Sequence, residues 1–134
     1  MIDPKKVCWD VLDPDFDAKN QNIGIDKNNK PISYDSNYDY VGSDWIYKHF
    51  GVGLKRYFCG ADINRAAFLH DIRYELGTGF GDFDFANDQL RNDIVKLISA
   101  AGHPYWARVI GWMHFFGVQS IPAWIDYKTF RKKQ

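Results

Sequence analysis

A chain of 134 residues, 46% hydrophobic and 17% aromatic, is one domain by size and can bury a single core built largely from Phe, Tyr and Trp. Seventeen basic residues against seventeen acidic ones leave a formal net charge of zero, which argues against a general nucleic-acid binder, because that partner demands a basic excess. The charge is unevenly laid out: residues 1–40 hold five Lys and eight Asp, and the rest of the chain holds twelve basic and nine acidic residues.

Two cysteines, Cys8 and Cys59, allow one disulfide but no disulfide framework. The start, Met1-Ile2-Asp3-Pro4-Lys5-Lys6, lacks the apolar run of a secretory signal. No uninterrupted apolar stretch approaches the ~18–20 residues that span a bilayer. The expectation is a soluble protein made in the cytoplasm without a signal peptide. Any action on a target cell, outside the producing cell or in a virion then needs a separate delivery route.

Residues 1–40 read as a polar arm broken by Pro4, Pro14 and Pro31, with a loose hairpin pairing Asn22–Asp26 with Pro31–Tyr34 around an Asn-rich turn. Tyr34, Tyr38 and Tyr40 predict that the arm packs back on the body. Residues 41–101 read as the core unit. It opens with a short helical run over Trp45–Phe50, stopped by Gly51 and Gly53, and Leu54–Phe58 follows as a connector. A helix capped by Asp62 or Asn64 then runs to about Leu76 and ends at Gly77. Gly77–Gly81 reads as a loop, and a second helix starts near Asp82 or Asp84 and runs to Ala101. Residues 102–134 add a third helix opened by Pro104, from Tyr105 to about Phe116, and a basic tail. The fold class is mainly α, with two antiparallel central helices, one C-terminal apolar helix and a short N-terminal hairpin or coil arm.

The first central helix has two contrasting faces at ~100° per residue. Phe68, Leu69, Ile72 and Leu76 form a bulky side, while Ala66, Ala67, His70 and Tyr74 form a side where small residues leave room beside an imidazole. On the second helix, Ala86, Leu90, Ile94, Leu97 and Ala101 share a stripe. Asn87 then lies about 60° off its centre and Asp88 about 160° off, towards solvent. The third helix is apolar nearly all round through Trp106, Val109, Ile110, Trp112, Met113, Phe115 and Phe116, and reads first as core. The alternative is a patch that docks on a lipid headgroup layer, with Arg108 and Arg131-Lys132-Lys133 supplying positive charge.

His70 and Asp71 stand ~100° apart on their helix and cannot bond each other. The imidazole suits a general base near neutral pH, and the carboxylate suits a hard cation. The pattern His70-Asp71-x-x-Tyr74, preceded by Ala66-Ala67 and followed by Ala86-Asn87-x-x-Leu90 on a second helix, resembles the phospholipase A2 superfamily, in particular its small bacterial, fungal, phage and parvoviral members. Tyr40-Val41-Gly42-Ser43-Asp44-Trp45 is more faintly similar to that family's glycine-containing calcium loop, so the resemblance covers roughly residues 40–100.

The resemblance implies a Ca²⁺-dependent hydrolase acting at a phospholipid membrane surface. His70 would deprotonate the water that attacks an acyl ester, and Asp71 with backbone carbonyls around Gly42 would hold Ca²⁺. One carboxylate with carbonyls and waters implies binding on the order of 10⁻⁴–10⁻³ M. Tyr74 would support the group that orients the imidazole. The family's orienting Asp is replaced here by Asn87, with Asp88 as the neighbouring carboxylate. An Asn can hold an imidazole but cannot neutralise an imidazolium, so a non-catalytic module of the same fold, binding lipid, a partner protein or a phage structure, is the alternative. A third reading is a metal-dependent phosphohydrolase that draws on His49 and Asp93. Cys59 has no nearby base-and-Asn set in sequence to make it a nucleophile.

Overall fold

The computed structural model describes residues 9–21, 23–25, 28–41 and 56–119. These residues form a mainly helical protein with two small antiparallel hairpins. In chain order they are helix α1 (Phe16–Lys19), strands β1 (Gly24–Ile25), β2 (Pro31–Ile32), β3 (Tyr57–Phe58) and β4 (Ala61–Asp62), then helices α2 (Asn64–Leu76), α3 (Gly79–Ala100) and α4 (Pro104–Val118). The expected helical run over Trp45–Phe50, the glycines at 51 and 53, Gly42, His49, Cys8 and the basic tail lie outside the described residues. Among the described residues no helix is long and apolar enough to cross a membrane.

Helix α2 is buried on both faces, which is why its sequence looks only weakly amphipathic. Phe68, Leu69 and Ile72 pack against Val11, Phe16 and Tyr34 of the arm. Ala66 and Ala67 pack against Leu90, Ile94 and Ile98 of α3 and Ala107 and Ile110 of α4. The two-residue link Gly77–Thr78 folds α3 back antiparallel to α2, so Tyr74 stacks on Phe83 with ring centroids 5.7 Å apart while His70 meets Asn87 further along. Helices α3 and α4 approach closely at Gly111, where a Cβ would lie 2.8 Å from Val95 Cγ2 and 3.2 Å from the Arg91 carbonyl oxygen.

The arm folds onto α2 as its tyrosines predict. Buried Asn64, in the first turn of α2, accepts from the Tyr40 N–H at 2.8 Å and donates to the Tyr38 carbonyl at 2.7 Å. Arg65 donates to the carbonyls of Val11 and Asp13, each at 3.0 Å, and lies over the Phe16 ring. Tyr34 and Tyr40 both pack edge-on against Phe68, whereas Tyr38 stays exposed. The expected hairpin forms with Gly24 opposite Ile32 and Ile25 opposite Pro31.

Several boundaries differ from the sequence reading. The connector before α2 is part of a second hairpin, β3–β4, whose turn residues Cys59 and Gly60 have φ of 52° and 77°. Two positive φ values make the tight turn that matches strand twist, and Cys at the first of them is an unusual residue for that turn. Helix α1 is a single turn inside a stretch read as coil. Ile63, not Asp62 or Asn64, occupies the position before α2, and Asp62 contributes by accepting from the Asn64 N–H at 3.0 Å. Helix α3 starts at Gly79, earlier than expected, because the Asp82 carboxylate accepts from the Thr78 N–H at 2.7 Å and closes the first turn. Helix α4 runs through Gly117 to Val118, two residues past the expected end.

Candidate active site

The polar centre of the molecule lies where α2, α3 and the end of α4 meet. The His70 side chain projects from α2 between the small residues that precede it and is 8% exposed. Its Nε2 lies 2.8 Å from Oδ1 of Asn87, which is fully buried on α3. The Tyr74 hydroxyl donates to the same oxygen at 2.6 Å, and its ring tilts against the imidazole with centroids 4.1 Å apart. The three residues singled out from sequence as base, orienting group and support therefore converge on one atom.

Two further residues complete the cluster. Asn87 Nδ2 donates to Oε1 of Gln119 at 2.8 Å, and Gln119 Nε2 donates to Oδ1 of Asp84 at 2.8 Å. Gln119 sits at the C-terminal cap of α4, where its N–H bonds the Phe115 carbonyl. Sequence reading missed it because the helix was expected to stop at Gly117. Asp84 was read only as an acid suited to a helix start. No local signal ties either residue to His70, since their link is purely tertiary.

Asp88 does not join the cluster. It pairs with Arg91 on its own helix at 2.6 Å, one turn along and away from the imidazole. That corrects its place among the catalytic candidates, and the reason is the helical rotation that carries position 88 off the buried stripe. The contact with Asn87 falls on Nε2 of His70. Among the described residues Nδ1 has no hydrogen-bond partner.

Burial pushes the His70 pKa down to about 4, with smaller contributions in the same direction from Arg73 and His114, while the Asn87 bond opposes them. The imidazole is therefore neutral near pH 7. Asp71, one residue on, combines two properties that rarely coincide. Its side chain is exposed, yet the surrounding protein desolvates the carboxyl and pushes it up to about 7. Because water still reaches its oxygens, the shift translates into little folding energy. No described side chain hydrogen-bonds it. Tyr40, anchored immediately before Val41 and Gly42, is close enough that Asp71 helps to raise its hydroxyl pKa, although burial is the larger cause.

The remaining candidates have other partners. Asp93 is buried against Arg73 of α2, with an N–O distance of 3.3 Å. Burial pushes its carboxyl up and Arg73 opposes that. Among the described residues there is no group of three or more His, Cys, Asp or Glu side chains placed to hold a metal ion. His103 is exposed, and Cys59 is an exposed free thiol. His114 is buried: its Nδ1–H donates to the Ile110 carbonyl at 2.8 Å, which lowers no part of the cost of burying Nε2 without a partner.

Helix α4 is not core all round. Ala107, Ile110, Gly111 and His114 face inward, while Tyr105, Trp106, Trp112, Met113 and Phe116 are exposed. The Arg91 guanidinium lies 4.6 Å from the Trp112 ring centroid, so the exposed aromatics carry a cation at their edge. Phe80 is exposed beside Phe83, whose ring stacks on Tyr74, which continues apolar surface from the cluster outward. No family model matches the chain, and no curated protein or solved structure matches it either.

Proposed function

We propose that the protein is a phospholipase A2-like hydrolase that cleaves a phospholipid acyl ester with a water activated by His70, in a calcium-dependent reaction. The observation that carries this reading is the division of labour around His70. Nε2 is tied to Asn87 under the Tyr74 hydroxyl, while Nδ1 has no described hydrogen-bond partner, and the next residue in the chain, Asp71, supplies an exposed carboxyl with its pKa raised by desolvation. A neutral imidazole with one nitrogen anchored can take a proton from water at the other.

Asp71 fits a hard divalent cation, because its carboxylate is uncompensated by any described cation or hydrogen-bond donor. Backbone carbonyls from the Gly42 segment would complete that site, and Tyr40 and Val41 are anchored on α2 where such a segment would begin. When bound, calcium supplies Lewis-acid polarisation of the ester carbonyl and charge for the oxyanion. The chain's own groups do the rest. Asn87 and Tyr74 hold the imidazole, His70 Nδ1 accepts the water proton, and the exposed aromatics of α4 with Phe80 supply an apolar face suited to a phospholipid surface. The setting proposed for this activity is that of a phage-borne or bacterial effector acting on a target cell, or of a virion component.

The test is release of fatty acid from mixed phospholipid vesicles by purified protein at millimolar Ca²⁺. Turnover should fall at least a hundredfold in His70→Ala, and Asp71→Asn should abolish its calcium dependence. Protein that releases no more fatty acid than His70→Ala sinks the hydrolase reading. A specific observation favours the second reading, a non-catalytic lipid- or partner-binding module of the same fold. The group on Nε2 is an amide, which cannot neutralise the imidazolium formed on proton uptake, and the protease precedent for losing that carboxylate is about 10⁴ in turnover. Calcium-dependent vesicle binding without turnover would select it.

A further inference from the structure

An amide partner, which can donate or accept, does not by itself dictate which nitrogen of a neutral imidazole carries the proton. Asn87 could present Oδ1 to Nε2–H, or Nδ2 to an unprotonated Nε2, and the Tyr74 hydroxyl can donate to the first or accept from the second. Gln119 has the same two-fold freedom, so each of the contacts in the chain linking His70, Asn87 and Gln119 can be made in either direction. The chain ends, however, on a group without that freedom. A carboxylate accepts and cannot donate, and Asp84 Oδ1 lies 2.8 Å from the Gln119 amide.

We propose that Asp84 sets the direction of this chain and thereby the tautomer of His70, acting through Gln119 and Asn87 as positioning residues. Gln119 must turn Nε2 towards Asp84, because the reverse brings a carbonyl oxygen against a carboxylate. Its Oε1 then faces Asn87 and accepts from Nδ2. Asn87 Oδ1 is left facing Tyr74 and His70, both of which must donate to it. The proton of the neutral imidazole is therefore on Nε2, and the lone pair is on Nδ1, the nitrogen with no described partner. The carboxylate that would otherwise sit directly on the imidazole is placed two amides away. It keeps the directional information, but it is too remote to neutralise an imidazolium at contact distance.

The catalytic consequence rests on the hydrolase reading above, whereas the hydrogen-bond order does not, so the two can fail separately. The direct measurement is a long-range ¹H–¹⁵N correlation spectrum of the full-length labelled protein at pH 7, with His70 assigned by its loss in His70→Gln. The expected pattern is Nε2 protonated and Nδ1 bare. Asp84 is exposed, so it can be changed without opening the core. Asp84→Lys puts a donor-only group at the end of the chain, and His70 should move population from the Nε2–H to the Nδ1–H form. Asp84→Asn should give a mixture. Adding Asn87→Asp to Asp84→Lys should restore the Nε2–H form, because an acceptor-only group then bonds His70 directly.

A wild-type Nδ1–H pattern, or an unmoved Nε2–H pattern in Asp84→Lys, overturns the proposal. Failure of Asn87→Asp to restore the pattern overturns the route through position 87. Vesicle assays on the same samples separate the two ideas. A tautomer that responds to Asp84 in a protein without turnover leaves this inference standing and removes the hydrolase. Turnover with an unresponsive tautomer does the reverse.

Discussion

Two polar clasps join α2 to α3, and they are built on opposite principles. Arg73 and Asp93 form a buried ion pair in which each charge is compensated by the other, with Arg73 also lying against the Phe85 ring. His70, Tyr74 and Asn87 form a neutral cluster in which one amide oxygen accepts two hydrogen bonds. The first spends its charge on holding helices together and leaves little for chemistry. The second carries no charge at contact distance, so nothing there offsets the burial that keeps the imidazole neutral. A charged contact and a neutral imidazole thus need different surroundings, although both are buried polar groups on the same two helices.

Breaking the ionic clasp should have the largest effect. Arg73→Met leaves Asp93 buried without its cation and should cost about 3–5 kcal/mol in chemical denaturation, while His70 keeps its tautomer. Asp93→Asn should cost less, because the group left beside Arg73 can still accept a hydrogen bond. A loss below about 1 kcal/mol in Arg73→Met would show that the two clasps do not differ in kind.

Acid should strain the neutral clasp. His70 titrates at about 4 in the folded protein against 6.5 in the unfolded chain. Between those values the unfolded chain binds more protons. The stability that His70 contributes is therefore fully present above pH 6.5 and is lost as pH falls to about 4, by about 3 kcal/mol. Asp71 works in the opposite direction, since its folded pKa of about 7 lies above the ordinary carboxyl value of 3.8 and favours the folded state as pH falls through that window. Its exposure makes that the smaller effect. Denaturation curves from pH 7 to 4 should fall less steeply in His70→Gln than in the wild type, and more steeply in Asp71→Asn.

Converting one clasp towards the other gives a sharper test. Asn87→Asp places a carboxylate on Nε2, so the His70 pKa should rise from about 4 and turnover should increase at least tenfold, read by NMR titration and by the vesicle assay. An unchanged pKa would mean that the imidazole does not feel position 87. The smallest effect concerns the helix that delivers Gln119. Gly111→Ala improves helix propensity yet places a methyl 2.8 Å from Val95 and 3.2 Å from the Arg91 carbonyl. A net loss of about 1 kcal/mol is expected, with α4 pushed away from α3. A net gain would show that the α3–α4 approach has slack.

Local chemistry made much of the fold readable. Gly77 after Leu76, Pro104 ahead of an apolar run and the Pro31 strand each marked an element that the structure contains. Helix rotation alone separated buried Asn87 from outward Asp88. Less legible were features set by neighbours distant in sequence. The β3–β4 turn uses Cys59 at a positive φ, and α4 is half exposed although its composition suggested a core helix.

Sequence by itself singled out His70, Tyr74 and Asn87 as side chains able to meet, because helical spacing fixes which side chains share a face before any packing is known. Tertiary structure decided what those residues touch. The arm anchored by Asn64 covers the outer face of α2, burial removes the charge from His70, and protein around an open carboxyl raises Asp71. Above all, the contact from Asp84 through Gln119 to Asn87 spans 35 and then 32 positions of the chain. No local periodicity encodes a partner at that separation; only the closing of α4 against α3 brings the three side chains into line.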